Sequence, residues 1–331
     1  MASSAQPNMP QATGAVPINP SPVTPEQRLE YTRRLLESIT FAQPMAPDFD
    51  PVAATPEQLR LHGLPPRPAA DLAPEQFAKW EKLVTELKGK ELIRPTFKII
   101  QRDETSRPAG RPEAKKWTTK NWAGAVIAQS VFTLIHSNWT VPLPEAGQGD
   151  HDVWYSSAYV GLDGYQTNSN DVLAGGTGHD YYKADGGSSK TYAWYQWYPA
   201  YPVELVNFPV NPGNRVWCEV WSYLPQNGQT GAFSIYNSST GKYASFSFSA
   251  PAGVQLLGDS AEWVVEGEDP EANFHLVEFD DCWALKTNGY WYNLSSATTV
   301  ASTCDDGTVC TAEITNTDTL VVTYKGKGGY Q

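Results

Sequence analysis

Hydrophobic and polar positions follow two different periods along this chain. Between residues 24 and 89 they run at helical spacing. Thr24-Pro25-Glu26-Gln27 supplies an N-cap hydroxyl, a proline at the first helical position and a capping-box glutamine. Leu29, Leu35, Leu36 and Ile39 follow near one face. Thr55-Pro56-Glu57-Gln58 repeats the signal ahead of Leu59 and Leu61, and Leu64-Pro65-Pro66-Arg67-Pro68 stops that short helix. Ala73-Pro74-Glu75-Gln76 predicts a third helix, with Phe77, Trp80, Leu83, Val84 and Leu87 on one face and Gly89 after its end. Residues 1–23 are rich in Pro, Ser and Ala and read as a disordered tail. Residues 24–116 are thus helical pieces joined by Pro-rich loops, too thin to fold as a domain alone.

From Trp117 to the C-terminus the period becomes two. Residues 215–224 and 243–250 read as strands, the second with Phe246 and Phe248 on one face. Residues 191–198 alternate too, which puts Tyr192, Trp194, Gln196 and Tyr198 together. Residues 260–266, 274–279 and 319–324 add further strands between Gly-, Asn- and Pro-rich turns. Many short strands without intervening helices predict an antiparallel sandwich over 117–331. The fold class is therefore all-β, a two-sheet antiparallel β-sandwich preceded by a helical N-terminal extension.

Composition agrees. The 331 residues include 12 Trp and 17 Tyr, and only 18% are charged. Aromatic side chains suit a pleated, half-buried surface. The net charge of −12 is uneven. Residues 1–116 hold 16 Lys+Arg against 14 Asp+Glu, whereas residues 117–331 hold 8 against 22. An acidic body repels nucleic acid and anionic membranes, so neither is expected as a partner. It also loses self-repulsion in acid, a weak pointer to an acidic working environment. No run of 18 apolar residues is present, so no membrane-spanning helix is expected. The N-terminus lacks the charged and apolar regions of a secretory leader; the protein is cytoplasmic, or its leader is missing from this sequence.

Candidate chemistry is sparse. There is no GxSxG elbow, HExxH, P-loop or GxGxxG before a helix. His151-Asp152 and His179-Asp180 are the nearest approach to metal ligands and read as ordinary surface pairs; no cofactor or metal is expected. Cys218, Cys282, Cys304 and Cys310 match no CxxC site, and the turn-like stretch between the last two leaves room for a local disulfide. Sequons at Asn138, Asn237 and Asn293 carry little weight.

One ordered constellation is more specific. Asn121-Trp122-Ala123-Gly124-Ala125 is followed by Trp139-Thr140-Val141-Pro142 and by Tyr159-Val160-Gly161-Leu162-Asp163-Gly164. Asp171-Val172-Leu173, then Ala193-Trp194-Tyr195-Gln196-Trp197-Tyr198-Pro199, and Ala261-Glu262-Trp263-Val264-Val265-Glu266 complete it. From Asn121 onward the chain resembles the eqolisins, the glutamic endopeptidases of fungi and bacteria. The resemblance implies two long, curved, lectin-like sheets with a substrate groove on one concave face. It implies a protein or peptide substrate, a monomer and a secreted protein, and the helical segment looks like the propeptide-like extension of larger members.

The resemblance also implies a catalytic pair. A glutamate acts as general base on a water, and a glutamine amide positions that water and stabilises the oxyanion. Glu262 matches the glutamate. Alternation puts Glu262, Val264 and Glu266 on one strand face, and a carboxylate on an aromatic groove is expected to have a raised pKa. The glutamine is missing. In Leu173-Ala174-Gly175-Gly176, Ala174 occupies its position, and an alanine can neither donate nor accept there. Two neighbours depart as well: Tyr159 replaces the usual Trp and Gln196 the usual Glu. Tyr159, Asp163, Trp194 and Tyr198 fall at implied substrate-binding positions, with Trp154 as a further groove aromatic. Three readings of Ala174 follow: a designed knock-out, a natural loss that leaves a relative binding peptide or glycan, or transfer of the amide role to Gln196.

Overall fold

The structure is a computed structural model and describes residues 23–101, 118–119, 121–128, 130–165, 171–268, 270–303 and 307–327. Residues 1–22 of the expected tail, the 102–116 stretch that closes the extension, and Cys304 with its expected disulfide lie outside the described residues.

The three helices form where their caps predict them. They are α1 (Pro25–Glu37), α2 (Pro56–Leu61) and α3 (Pro74–Leu87). Thr24 and Thr55 each close a full capping box with the glutamine three residues on, whereas Ala73 offers α3 no side-chain cap. The strands are β1 (Thr40–Phe41), β2 (Glu91–Leu92), β3 (Phe97–Ile99), β4 (Thr118–Thr119), β5 (Trp122–Ala128), β6 (Phe132–Thr140) and β7 (Val153–Leu162). They continue with β8 (Leu173–Tyr182), β9 (Ser188–Trp197), β10 (Val203–Leu205), β11 (Arg215–Tyr223), β12 (Asn227–Asn237) and β13 (Lys242–Ser249). The last are β14 (Ser260–Glu268), β15 (Leu276–Lys286), β16 (Trp291–Asn293), β17 (Thr298–Thr303), β18 (Thr308–Asn316) and β19 (Thr319–Lys327).

These strands build two layers. The front sheet runs β17–β5–β14–β7–β8–β9–β10–β3. The back sheet runs β17–β18–β19–β15–β6–β11–β12–β13. β17 belongs to both, so the layers form one hydrogen-bonded sheet folded over. Pairing is antiparallel except for β13 with β2 and β17 with β4. Inward residues of both layers make the main core: Ala158, Val160, Tyr195, Trp197 and Trp263 from the front meet Ile135, Trp139, Phe233, Phe246 and Phe279 from the back. The all-β sandwich expected from the sequence is thereby observed.

The extension is woven into this body. Its β1 and β2 extend the β13 edge of the back sheet, and β3 extends the β10 edge of the front sheet. α3 buries Trp80, Leu83, Val84 and Leu87 in a second apolar cluster with Trp217, Tyr236 and Tyr243 of the back sheet. Each such burial contributes about 1.5–3 kcal/mol.

Candidate functional site

Front-sheet register decides which side chains share the face turned away from the main core. Glu262 of β14 pairs with Val126 of β5 on one side and Gly161 of β7 on the other. Gly161 pairs with Ala174 of β8, and Ala174 pairs with Gln196 of β9. Directly paired residues point to the same side. One row across the sheet therefore reads Val126, Glu262, Gly161, Ala174, Gln196. The next row reads Gly124, Val264, Tyr159, Gly176, Trp194, and the one after it Trp122, Glu266, Ser157, Gly178, Tyr192. The sequence-predicted Glu262, Ala174, Gln196, Tyr159 and Trp194 are thus brought together on one face. Tyr198 packs against the same apolar cluster from just beyond β9.

The spacing within the first row matters chemically. Ala174 lies two strands from Glu262, about 10 Å in a flat sheet, and Gln196 lies three, about 14 Å. Gly161 between Glu262 and Ala174 has no side chain. Two long side chains at 262 and 174 can meet above it with a water between them. Gln196 starts one strand farther out, and its Nε2 donates to the Ala200 carbonyl at 2.7 Å. Arg28 of α1 donates to the carbonyls of Pro199 and Ala200, at 2.8 and 3.3 Å, and stacks over Tyr198 and Tyr201.

Glu262 is 5% exposed, and Oε1 accepts a hydrogen bond from Ser260 at 2.9 Å. Ser260 was not singled out in the sequence, although its i, i+2 position on the same strand face is legible there. Glu266 accepts from Tyr159 Oη at 3.0 Å and from Asn121 Nδ2 at 3.1 Å. Tyr159 and Trp194 pack edge to face with centroids 5.4 Å apart.

Three expectations are revised by the geometry. Asp163 is fully buried with φ 64°, and its carboxylate accepts from the backbone amides of Leu257 and Asp259, both at 2.7 Å. It fixes the loop that leads into β14. Burial, with Asp171 and Asp259 nearby, raises its pKa well above the usual carboxylate range. Trp154 alternates onto the face opposite Tyr159, and its indole donates to the Gln148 carbonyl. His179 and Asp180 are buried, not surface residues. The His179 ring sits against Thr177 Oγ1 at 2.8 Å, and burial lowers its pKa to about 3. Among the described residues no group of three or more His, Cys, Asp or Glu is placed to hold a metal ion.

With this geometry in hand, comparison with known proteins gives a consistent result. Residues 120–324 match the Peptidase A4 family. The chain belongs to that family, the glutamic peptidases. It is 30% identical over 228 residues to aspergillopepsin-2 of Aspergillus niger, covering 62% of this chain and 78% of the relative. It is 30% identical over 205 residues to scytalidopepsin B of Scytalidium lignicola, covering 57% and 73%. The structure resembles that of scytalido-glutamic peptidase with a transition state analog inhibitor, with a TM-score of 0.52 and 26% identity over 62% of this chain and 98% of that one.

Proposed function

We propose that this chain binds extended peptide across the front sheet and retains the general base of a glutamic peptidase at Glu262, but is crippled as a hydrolase by Ala174. The single observation that supports this is the row Glu262–Gly161–Ala174. In the complete pair, the carboxylate takes a proton from a water as the oxygen attacks the peptide carbonyl. An amide N–H opposite stabilises the new oxyanion, and the carboxylic acid then returns the proton to the leaving amine. A methyl group at 174 offers no amide to share that water or to meet the oxyanion. Losing one oxyanion donor costs about 10²–10³ in rate, and here the same group also holds the water.

Gln196 does not supply the missing group in this reading. It is a strand farther from Glu262, and its amide is engaged with the Ala200 carbonyl.

The test is restoration. Ala174→Gln is expected to raise hydrolysis of a denatured protein substrate by about 10²-fold or more, and Glu262→Ala on that background to abolish the gain. The parent chain is expected to bind peptide without turning it over. A parent that hydrolyses substrate at a rate unchanged by Ala174→Gln and lost in Gln196→Ala would overturn the proposal in favour of a relocated amide.

A further inference from the structure

Residues 24–99 lie outside the family match, and they are joined to the body by three independent kinds of contact. Main-chain pairing adds β1 and β2 to β13, and β3 to β10. Apolar packing seats Trp80, Val84 and Leu87 of α3 among Trp217, Tyr236 and Tyr243. Buried polar contacts cross the junction: Ser245 Oγ donates to the Gly63 carbonyl at 2.6 Å, the Tyr201 amide to Thr32 Oγ1 at 2.8 Å, and Arg28 to Pro199 and Ala200. Most of this attachment is to the back sheet or the sheet edges, away from the Glu262 row.

A fourth contact is an ionic clasp on a distorted strand. Asp280 pairs with Asn138 and Trp283 with His136, so β15 carries one residue more than β6 over this stretch. Asp281 is that region's left-handed residue, with φ 52°. Such a bulge re-aims side chains. Here it turns Asp281 onto the outer face beside its neighbour Asp280, which pairs with Arg215.

Lys79 of α3 reaches Asp281 at 2.5 Å and Asp318 at 3.6 Å. Behind Asp281 stands His136 of β6, with Nε2 3.5 Å from Asp281 and Nδ1 3.0 Å from Glu219 of β11. Burial opposes a charge on His136, but its hydrogen bonds and proximity to Asp281 and Glu219 prevail and raise its pKa to about 9. Burial likewise pushes Asp281 up, and His136 and Lys79 together overcome it and hold the carboxyl well below its usual range. Glu219 moves the other way: burial raises it, despite His136. Glu75, on α3, adds a further favourable charge to Lys79. A carboxylate flanked by two cations keeps its charge into acid.

We propose that residues 24–99 are a resident partner of the β body: after the chain is cut beyond Gln101, this segment stays bound to the back sheet and sheet edges instead of leaving as a released propeptide. The charge distribution agrees, since residues 24–99, with 11 Lys+Arg against 11 Asp+Glu, carry no net charge to be repelled by the strongly acidic body. The inference does not depend on the peptidase reading, because none of these contacts involves Glu262 or Ala174.

The experiment inserts a specific-protease recognition sequence after the exposed Gln101, cuts the purified full chain, and follows both fragments by size exclusion and mass spectrometry at pH 7 and pH 4. Co-elution at both values is expected. Asp281→Asn removes the clasp charge while keeping a residue that tolerates positive φ, and is expected to speed loss of the cut segment at pH 4 about tenfold. Elution of the body without the segment, with its β-sheet circular dichroism intact, overturns the proposal. If the insertion prevents folding, hydrogen exchange on the uncut chain decides. Amides of α3 protected as strongly as those of β11 and β12 at pH 4 support residency. Exchange of α3, β2 and β3 together as an early-opening unit refutes it.

Discussion

At the scale of single residues, the alternation of 260–266 already puts Glu262 on one face with Val264 and Glu266, and the structure adds what holds it. Ser260 sits two positions earlier on that face and donates to Oε1. Asp163 shows where local reading stops. Its place in Gly161-Leu162-Asp163-Gly164 suggests a groove residue, but only the fold brings the amides of Leu257 and Asp259 onto its carboxylate, nearly a hundred residues away. Asp163→Ala removes the acceptor of both part-buried amides. We expect a loss of about 2–4 kcal/mol, read as a lower urea midpoint, and a smaller loss for Asp163→Asn, which keeps one acceptor and tolerates the φ of 64°. His179 makes a different demand. Its pKa falls from 6.5 to about 3 on burial, so the unfolded chain takes up a proton that the folded chain refuses. Stability therefore declines as pH falls below about 6.5, on the order of 1 kcal/mol per unit until about pH 3. His179→Gln is expected to flatten this acid limb in denaturation series at pH 4 and pH 7.

At the scale of elements, legibility followed locality. The capping boxes at Thr24 and Thr55 span four residues each and were readable at once, as was the apolar face of α3. Cross-strand rows were not, because register is set by partners far apart in the chain; Gly161 between residues 262 and 174 is a fact of pairing, not of spacing. The bulge in β15 was also invisible, since only pairing with β6 shows that β15 has one residue too many there. That bulge creates a second pH dependence of opposite sign. His136 is held charged in the folded state, with a pKa raised from 6.5 to about 9. Its contribution is complete below about pH 6.5 and disappears as pH rises through 9. His136→Gln is expected to lose the alkaline dependence between pH 6.5 and 9, measured as the slope of unfolding free energy against pH. His179 and His136 thus bear on stability from opposite sides of about pH 6.5, the first in acid and the second in alkali.

At the scale of the whole molecule, the division of the sequence into a helical extension and a β body does not coincide with the layers it builds. The strands β1, β2 and β3 and the helix α3 find their partners on the body. The converse dependence follows from the same contacts. Without residues 1–101, Trp217, Tyr236 and Tyr243 lose the cover of α3, and three aromatic side chains of this size hold about 1.5–3 kcal/mol each in burial. The outer edges of β13 and β10 lose β1, β2 and β3, and an unprotected edge invites pairing with other chains. A chain that begins at residue 102 is therefore expected to aggregate even though it retains the entire family match and the whole Glu262 row. Co-expressing residues 1–101 as a separate chain should return it to a soluble 1:1 complex, because the pairing, packing and clasp are all non-covalent. The measurement is the soluble fraction with and without the second chain. A soluble, monomeric and cooperatively unfolding 102–331 would show that the back sheet needs no cover.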